Sequence, residues 1–473
     1  MRGNNLITSA MCRGKYLKIR WLLPLLIMPF LASSCSEDSE TVSTTGDYCY
    51  IKSVTLGTVK RQLDIRDRQG NLIRTTNSTF TGTGYLMTID QRTCVIENRD
   101  SLPYGSQLSA VLCTITFDGS VLTYREKGAE GWLAYNATDS LDLTKTLELR
   151  LTSNDNESSR TYTFKVNVHQ QEGDSLYWNK CEGEVEQLVG MTDIKAFVLH
   201  DKLMALGKKA SGIVLAERSG IEAQGTWEEL ATDLPSEADV QTLRQQESML
   251  CLSTSDGRIF SSVNAREWMQ EGIALSGPLT LVEKTGKYFY AVSEGKLLRS
   301  ADAQTWEEDK LDAEATCLPS SGIRTLSVLQ ANGNRRIIMV GKNESSTSAV
   351  VWNKMWNESE GEENTGWTYF PLTHDNPVPC PRLKHLNLLP YDGKCIAFGG
   401  ASDDGRHKAL DAMFISQDYG ITWRPSTELH LPFELEGIDG CIATATDRNN
   451  FIWIITNAQV WRGRLNRLGF AQH

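Results

Sequence analysis

Six short, strongly apolar segments recur along the C-terminal two thirds of the chain. They are residues 202–207, 249–253, 288–293, 337–341, 395–399 and 451–456. Apolar runs of this length between turn residues are typical of buried strands. Each is followed by a small-residue break and, in several cases, by another strand, such as 257–262 or 295–300. A supersecondary unit repeated about every 40 to 50 residues indicates a β-propeller. We therefore predict an all-β fold with a propeller over 171–473, with six blades or, alternatively, seven.

The preceding region, residues 47–170, alternates apolar and polar positions in short runs between turns. Runs of this kind are 50–56, 108–117 and 147–151. Period-2 alternation with regular turns predicts an antiparallel β-sandwich. The closing run 161–168 resembles the last strand of bacterial Ig-like or cadherin-like domains. The sequence has no Cys…Trp…Cys spacing of a true immunoglobulin domain.

Residues 416–423 read S-x-D-x-G-x-T-W. Asp418 lies two residues after Ser416, and its carboxylate is suited to accept hydrogen bonds from backbone N–H groups of its own turn. Gly420 is free to adopt a positive φ. Thr422 and Trp423 begin the next strand, where a large ring packs between sheets. The pattern resembles the Asp-box (BNR) hairpin of sialidase-like propellers.

A degenerate copy of this motif occurs at 300–306. Ser300, Asp302, Thr305 and Trp306 are retained, but the glycine is missing. A motif that recurs within a repeat indicates architecture rather than chemistry. Because Asp-boxes lie at the periphery of propellers, the resemblance implies a fold and not an active site.

Residues 1–34 are predicted to be a lipoprotein signal peptide. Four basic residues precede an apolar run at 21–32, which is shorter than the roughly 20 residues that span a bilayer. Such a run suits a signal-peptide core. It ends L-A-S-S-C, which resembles a bacterial lipobox and implies diacylation of Cys35. The alternative is an ordinary cleavage site beside an incidental cysteine.

Residues 35–46 form a predicted flexible tether that begins with the acidic run 36–40. The run resembles the acidic export tags of Bacteroidota surface lipoproteins, and a simple solvated tether is the alternative. Two or more acyl chains anchor a protein firmly. We therefore expect a partner bilayer and an outer-membrane location, on the cell surface or the periplasmic face.

Taken as a whole, the sequence resembles a family of Bacteroidota lipoproteins that join an Ig-like or cadherin-like domain to an Asp-box propeller. The resemblance supplies no reaction.

The charge balance narrows the range of partners. The whole chain carries a net charge of −11; without residues 1–34, which hold five basic and no acidic side chains, 43 basic groups face 59 acidic ones and the net charge is −16. This argues against a nucleic-acid partner, which needs a basic face. Nine cysteines remain after Cys35 without a C-x-x-C pair. We expect them to act as small buried hydrophobes, with no disulfide framework, no metal site and no cofactor.

Two functions remain open. A sialidase-like glycoside hydrolase needs three arginines that clamp a carboxylate, together with a Tyr–Glu nucleophile pair and an acid/base Asp. Arg244, Arg324 and Arg382 lie near predicted first strands, but no Tyr–Glu pair is assignable. A catalytic set is therefore not recognisable in the sequence.

The preferred hypothesis is a surface lipoprotein that binds or scaffolds a glycan or protein through its propeller. Propellers offer a central funnel for such ligands. From strand position alone, the predicted ligand-binding residues are Lys195, Arg324, Arg382, Lys384 and Asp439. The oligomeric state stays open.

Overall fold

The computed structural model describes residues 48–373, 376–438 and 440–470, and strands make up the regular structure of this part of the chain. Its helical elements are short 3₁₀ turns, none long and apolar enough to cross a membrane. The turns are Gly82–Gly84, Glu186–Leu188, Val240–Thr242, Ala315–Cys317, Phe433–Leu435 and Asn466–Gly469.

Twelve strands make up the N-terminal region. They are β1 (Tyr50–Leu56), β2 (Thr58–Arg66), β3 (Leu72–Thr81), β4 (Met87–Asp90), β5 (Val95–Asn98), β6 (Ser106–Gln107), β7 (Val111–Asp118), β8 (Val121–Glu126), β9 (Leu133–Ala134), β10 (Ser140–Leu141), β11 (Leu147–Thr152) and β12 (Ser159–Lys165). The sheet orders are β1-β7-β10, β4-β5-β12-β11-β8-β9 and β3-β2-β6.

The first two of these sheets share one apolar core and form a sandwich. Val111, Cys113 and Ile115 of β7 are buried, while the residues between them are exposed. Leu149 and Leu151 of β11 are fully buried in the same core. One pair departs from the antiparallel pattern, since β5 and β12 run parallel. The two strands are far apart in sequence, so no hairpin sets their relative direction.

Twenty-four strands follow. They are β13 (Leu176–Glu182), β14 (Thr192–Leu199), β15 (Lys202–Lys209), β16 (Gly212–Arg218), β17 (Trp227–Leu230), β18 (Arg244–Gln246), β19 (Met249–Ser253), β20 (Ile259–Ser262), β21 (Met269–Glu271), β22 (Thr280–Lys284), β23 (Phe289–Ser293), β24 (Lys296–Ser300), β25 (Glu307–Glu308), β26 (Ser321–Leu329), β27 (Arg335–Lys342), β28 (Val350–Trp356), β29 (Trp367–Phe370), β30 (Asn387–Tyr391), β31 (Lys394–Phe398), β32 (Phe414–Ser416), β33 (Arg424–Pro425), β34 (Ile442–Thr446), β35 (Ile452–Thr456) and β36 (Gln459–Leu465).

These strands form a β-propeller built, in the described residues, from six four-stranded antiparallel sheets. Five sheets run in chain order, from β14–β17 to β30–β33, and the sixth has the order β13-β36-β35-β34. The six apolar segments found in the sequence lie on β15, β19, β23, β27, β31 and β35, the second strand of each sheet. β13 pairs antiparallel with β36, from Leu176 opposite Leu465 onward. The first strand of the propeller region thus completes the sheet formed by the last strands of the chain.

Several contacts among the described residues join the sandwich to the propeller, including an ion pair of Arg61 with Glu172. At the tip of the β2–β3 hairpin, Arg68 Nη1 donates to the carbonyl of Asp411 (2.8 Å) and to Glu436 Oε2 (3.1 Å). Near the domain junction, the rings of His169 and Phe470 stack with centroids 4.0 Å apart. The residues from 47 onward accordingly cluster as a single compact unit.

The nine cysteines within the described residues are all free thiols. Burial raises the pKa of Cys113, Cys251 and Cys395 to about 12. These thiols are therefore neutral and pack as small apolar groups.

Candidate functional site

The turn at 416–423 is internally hydrogen-bonded and connects β32 to β33. Asp418 Oδ1 accepts from Ser416 Oγ (2.8 Å) and from the Thr422 N–H (2.9 Å), and Oδ2 accepts from Thr422 Oγ1 (2.6 Å). The Gly420 N–H donates to Ser416 Oγ (2.7 Å), and the Trp423 indole N–H donates to the Gly420 carbonyl (2.8 Å). Burial acts to raise the pKa of Asp418, but the hydrogen bonds from Thr422 and Ser416 outweigh it and lower the pKa. The polar groups of the motif are hydrogen-bonded to one another within the turn, which indicates a structural role.

The degenerate copy at 300–306 and a related turn at 262–268 are one residue shorter, and each has an alanine with positive φ three residues before its tryptophan, where the 416–423 turn has Gly420. Gly420 has φ +89°, and Ala265 and Ala303 have φ +62° and +54° in the turns after β20 and β24. The Trp268 indole donates to the Ala265 carbonyl (2.9 Å), as Trp423 does to Gly420. Position 420 requires glycine because a Cβ there would lie 2.9 Å from Ile338 Cγ2. All three turns join third to fourth strands and therefore lie at the same end of their sheets.

The first strands of all six sheets line one central channel, with a cavity of about 350 Å³. Its polar lining includes Lys195 on β14, Arg244 on β18, Glu283 on β22, Thr325 on β26 and Thr446 on β34. Leucines and a proline of β30 complete the wall. Residues from every one of the six sheets therefore meet in this channel.

Arg244 is held in this wall by backbone carbonyls. Nε donates to the carbonyl of Val282 (2.6 Å), and Nη1 donates to those of Gln241 (3.1 Å) and Leu243 (2.9 Å). Only 7% of the residue is exposed, and Nη2 is buried without a partner. A guanidinium offers five N–H donors. The two on Nη2 are thus unused among the described residues.

Gln241 connects this arginine to Arg324. Its Oε1 accepts from Arg324 Nη2 (2.8 Å), and its Nε2 donates to the Ile194 carbonyl (3.2 Å). Arg324 also donates from Nε to the carbonyl of Leu386 (2.8 Å) and from Nη1 to that of Ile323 (2.9 Å). Both guanidinium groups are therefore fixed in position by neutral acceptors.

A capped 3₁₀ turn, Val240–Thr242, positions Gln241 just before β18. Asp239 precedes the turn and its Oδ1 accepts the Gln241 N–H (3.0 Å), which is the role of an N-cap side chain. Thr242 Oγ1 donates to the Asp239 carbonyl (2.7 Å) and accepts the Ser253 N–H (2.9 Å). The local sequence thus fixes the residue that bridges the two arginines.

The channel concentrates positive charge in a shielded place. Burial, followed by the charges of Arg244 and Arg324, lowers the pKa of Lys195 to about 7, against the opposing effect of Glu283. Lys195 is surrounded by the walls of the channel, although part of its surface stays accessible from the cavity. Burial and Arg244 likewise lower the pKa of Arg324 to about 10. Within the described residues, none of these three cations forms a salt bridge.

Glu283 is the carboxylate of the channel wall, and 6% of it is exposed. Its Oε1 accepts the Lys284 N–H (3.0 Å), and Oε2 lies 3.4 Å from Thr325 Oγ1. Burial raises its pKa, and Arg244 and Ser327 act in the opposite direction.

A second cavity of about 320 Å³ opens at the end of the sheets opposite the 416–423 turn. Arg324, Lys342, Arg382 and Lys384 line it. Asp403 accepts from Lys342 Nζ (2.8 Å) and from Arg382 Nε (3.1 Å). Two of its four cations are therefore neutralised by an ion pair.

The family of the chain follows from two profile matches. A profile described as "DUF6242 beta propeller domain" matches residues 172–473. Another, described as "Domain of unknown function (DUF6242) N-terminal domain", matches residues 54–166. The chain belongs to the DUF6242 family.

Solved structures similar to this DUF6242 chain share little sequence with it. An α-L-arabinofuranosidase from Fusarium graminearum gives a TM-score of 0.35 at 12% identity, over 59% of this chain and 95% of that one. The extracellular domain of a putative one-component system from B. thetaiotaomicron gives 0.34 at 11%, over 77% and 39%. A streptogramin B lyase structure gives 0.34 at 9%, over 61% and 98%. Among curated proteins, none matches the sequence. Similarities this low carry no argument about function.

In this DUF6242 protein the predicted ligand-binding residues fall into two places. Lys195 lines the channel, whereas Arg382 and Lys384 line the second cavity. Arg324 lines the second cavity and acts electrostatically on Lys195. Asp439, like the proposed lipid site Cys35, lies outside the described residues.

Sequence reasoning missed Gln241 and Glu283 and left Arg244 out of the predicted set. Their one signal in the sequence is a position in or just before a first strand, which many residues share. What selects them is convergence across sheets, because Arg244 reaches the Val282 carbonyl and Arg324 reaches Gln241.

The described lining of the channel contains no tyrosine. A Tyr–Glu pair does exist elsewhere, where Tyr290 Oη donates to Glu362 Oε1 (2.8 Å). Tyr290 is fully buried and packs edge-on against Trp367. Burial and the charge of Glu362 raise its pKa, so this phenol is a structural group and not a nucleophile. The described residues also hold no cluster of His, Cys, Asp and Glu suited to a metal ion.

Proposed function

We propose that this DUF6242 protein is a lipid-anchored surface protein that binds or scaffolds a glycan or protein ligand through its propeller. One observation carries the proposal: all six first strands line a single channel whose buried Arg244 guanidinium keeps an unpartnered nitrogen. Ligand sites are typically concave, with a few convergent polar groups. Buried polar groups without a partner are rare in proteins, so this one supports a ligand site.

The anchoring part of the proposal rests on the sequence. Residues 1–34 serve as the signal peptide, Cys35 carries the lipid, and residues 35–46 form the tether. The sandwich at 47–170, which we take as Ig-like, then acts as a spacer between the outer membrane and the propeller. The turns at 300–306 and 416–423 serve as Asp-box hairpins, and the six sheets as six blades.

Binding is better supported than hydrolysis. Glycoside hydrolysis commonly uses two carboxyl groups on either side of the scissile bond. The described channel lining offers a single carboxylate, Glu283. The third cation beside Arg244 and Arg324 is Lys195, which lacks the planar fork of an arginine.

A glycan array and a pull-down with the full chain in detergent test the proposal. We expect saturable binding of a glycan or protein ligand that is reduced by Lys195→Met at the channel. Release of a fluorogenic sugar from a sialoside, abolished by Arg324→Ala, would instead establish the hydrolase alternative.

The anchor is tested separately by mass spectrometry of the N-terminal peptide. We expect a diacylated Cys35 in the wild type and a protein released from membranes in Cys35→Ser. An unmodified cysteine, or a mature chain that begins elsewhere, contradicts the anchor without touching the channel.

A further inference from the structure

The cations of the channel point to one chemical class of ligand. We propose that Arg244 and Lys195, with Arg324 as a nearby positive charge, bind the carboxylate of a hydroxylated acid, such as a uronic acid at the end of a glycan. This inference rests on the proposed function and specifies its ligand.

The first step in the argument is the state of Arg244. Its Nε and Nη1 are held by three backbone carbonyls, and its Nη2 is buried with no partner. The guanidinium is therefore held in a fixed orientation with unused donors. Charge-assisted hydrogen bonds to carboxylates are the strong use of such donors.

The second step is that the channel cations are not neutralised by ion pairs. Elsewhere in the propeller, the fully buried Arg218 pairs with Glu182 Oε1 at 2.7 Å from Nη2. Arg244 and Arg324 contact carbonyl and amide oxygens in place of a carboxylate. A ligand carboxylate would supply the direct, charge-assisted acceptor that neither guanidinium finds among the described residues.

The third step concerns the rest of the ligand. Glu283 lines the same cavity, and Thr446 Oγ1 is buried there without a partner. A carboxylate accepts hydrogen bonds from hydroxyl groups, and a threonine hydroxyl both donates and accepts them. A cavity of about 350 Å³ is at the small end of ligand pockets, which fits one sugar ring.

The fourth step separates a carboxylate from a dianion such as phosphate. Glu283 opposes the charge effects on Lys195, and Asp193 and Asp239 oppose those on Arg324. Three cations therefore face three carboxylates, although the Asp239 carboxylate also accepts the Gln241 N–H. Because these carboxylates offset much of the positive charge of the three cations, a ligand with a single negative charge is favoured over one with two.

Isothermal titration calorimetry with the full chain in detergent tests the inference at about pH 6. The probes are D-galacturonate, neutral D-galactose and sodium sulfate. We expect the affinity for D-galacturonate to be at least about tenfold higher than the affinities for D-galactose and sulfate. Equal binding of galacturonate and galactose overturns the inference, as does a preference for sulfate.

Three variants locate the binding. Lys195→Met and Arg324→Gln should each weaken galacturonate binding by about tenfold or more. The exposed Arg406→Gln should leave it unchanged, as a matched loss of one positive charge. Arg244→Gln should abolish binding, and circular dichroism checks that this variant folds. If it does not fold, Lys195→Met still tests the inference, because Lys195 is partly exposed. Unchanged galacturonate affinity in Lys195→Met and Arg324→Gln overturns the inference.

Failure of this inference is distinguishable from failure of the proposed function. A neutral glycan or a protein that binds the wild type and is lost in Lys195→Met keeps the function and removes the acidic ligand. Loss of every ligand from the channel removes both.

Discussion

Two buried cationic clusters in the propeller handle charge in opposite ways. Between the third and fourth sheets of the chain, Lys354 Nζ lies 2.9 Å from Asp309 Oδ2, and neither side chain is exposed. The Trp367 indole donates to the same oxygen (3.0 Å), and Arg299 Nη1 lies 3.3 Å from Oδ1. In the channel, the cations Lys195 and Arg244 have no such carboxylate. Direct ion pairs neutralise one cluster, whereas in our proposal the other binds a ligand carboxylate.

The difference shows how position decides the role of a charge. Removing one partner of a buried, hydrogen-bonded ion pair is strongly destabilising, because the other charge then stays buried without compensation. A buried cation without a counter-ion carries its desolvation penalty in the native state. We therefore expect the inter-sheet cluster to act in stability, and we propose that the channel cluster acts in binding.

The largest effect is expected from breaking the inter-sheet pair. Lys354→Met leaves the buried Asp309 carboxylate without its closest cation, while Trp367, Arg299 and the Lys310 N–H remain as partners. We expect a loss of about 3 kcal/mol in unfolding free energy, the lower end of the range for a broken buried pair, since Arg299 remains nearby. Urea unfolding measures it.

The exposed pair Lys296–Glu308 provides the control, because Lys296→Met should change the unfolding free energy very little. Galacturonate binding should survive in Lys354→Met. A stability loss in Lys354→Met no larger than in Lys296→Met would remove the contrast between the clusters.

A smaller effect is expected at the peripheral turn. Asp418→Ala leaves the N–H of Thr422 and the hydroxyl of Ser416 without their acceptor, which costs about 1 to 3 kcal/mol. Asp302→Ala, in the more exposed equivalent turn, should cost less. Thermal unfolding of the two variants compares them, and ligand affinity should be unchanged in both. A selective loss of ligand binding in Asp418→Ala would mean that the ligand binds near the 416–423 turn and not in the channel.

The smallest loss of stability is expected in the channel. Lys195→Met should leave the unfolding free energy at neutral pH unchanged or higher, because the cation that it removes carries a desolvation penalty in the folded chain. It removes a cation that has no ion pair in the described residues. A loss as large as that of Lys354→Met would mean that Lys195 stabilises the fold.

The same variant predicts a pH dependence with a defined sign. The folded-state pKa of Lys195 is lowered to about 7, whereas an unfolded lysine titrates near 10.4. Between these values the unfolded chain binds the proton and the folded chain does not, so stability rises with pH. The wild type should therefore gain stability relative to Lys195→Met from about pH 7 to pH 10. Urea titrations at several pH values show it, and a flat difference would contradict the lowered pKa.

Much of the fold was predictable because its signals are local. The six apolar segments lie on second strands because those strands are buried between neighbours within each sheet. The parallel pairing of β5 with β12 was not predictable, because no local turn specifies it. The turn at 300–306 seemed incomplete without glycine, yet Ala303 adopts the required positive φ.

The site was predictable only in part, for a physical reason. Lys195 could be selected from its place on a first strand. Which residues it contacts depends on the radial arrangement of six separate sheets. This arrangement produces no motif of fixed spacing in the sequence. Arg382 has an equally suitable position in sequence, but it pairs with Asp403 across a loop. Strand position identifies candidates, and only the packing of the sheets shows which of them lack a counter-ion.

The most direct test compares the affinity for D-galacturonate at about pH 6 and pH 9. The sugar carboxylate stays ionised over this range, while Lys195, facing Arg244, Arg324 and Glu283, loses its charge. The wild type should bind about tenfold more weakly at the higher pH, and Lys195→Met should show no such change. Equal wild-type affinity at both pH values, or the same decline in Lys195→Met, would contradict a ligand carboxylate held by the channel cations.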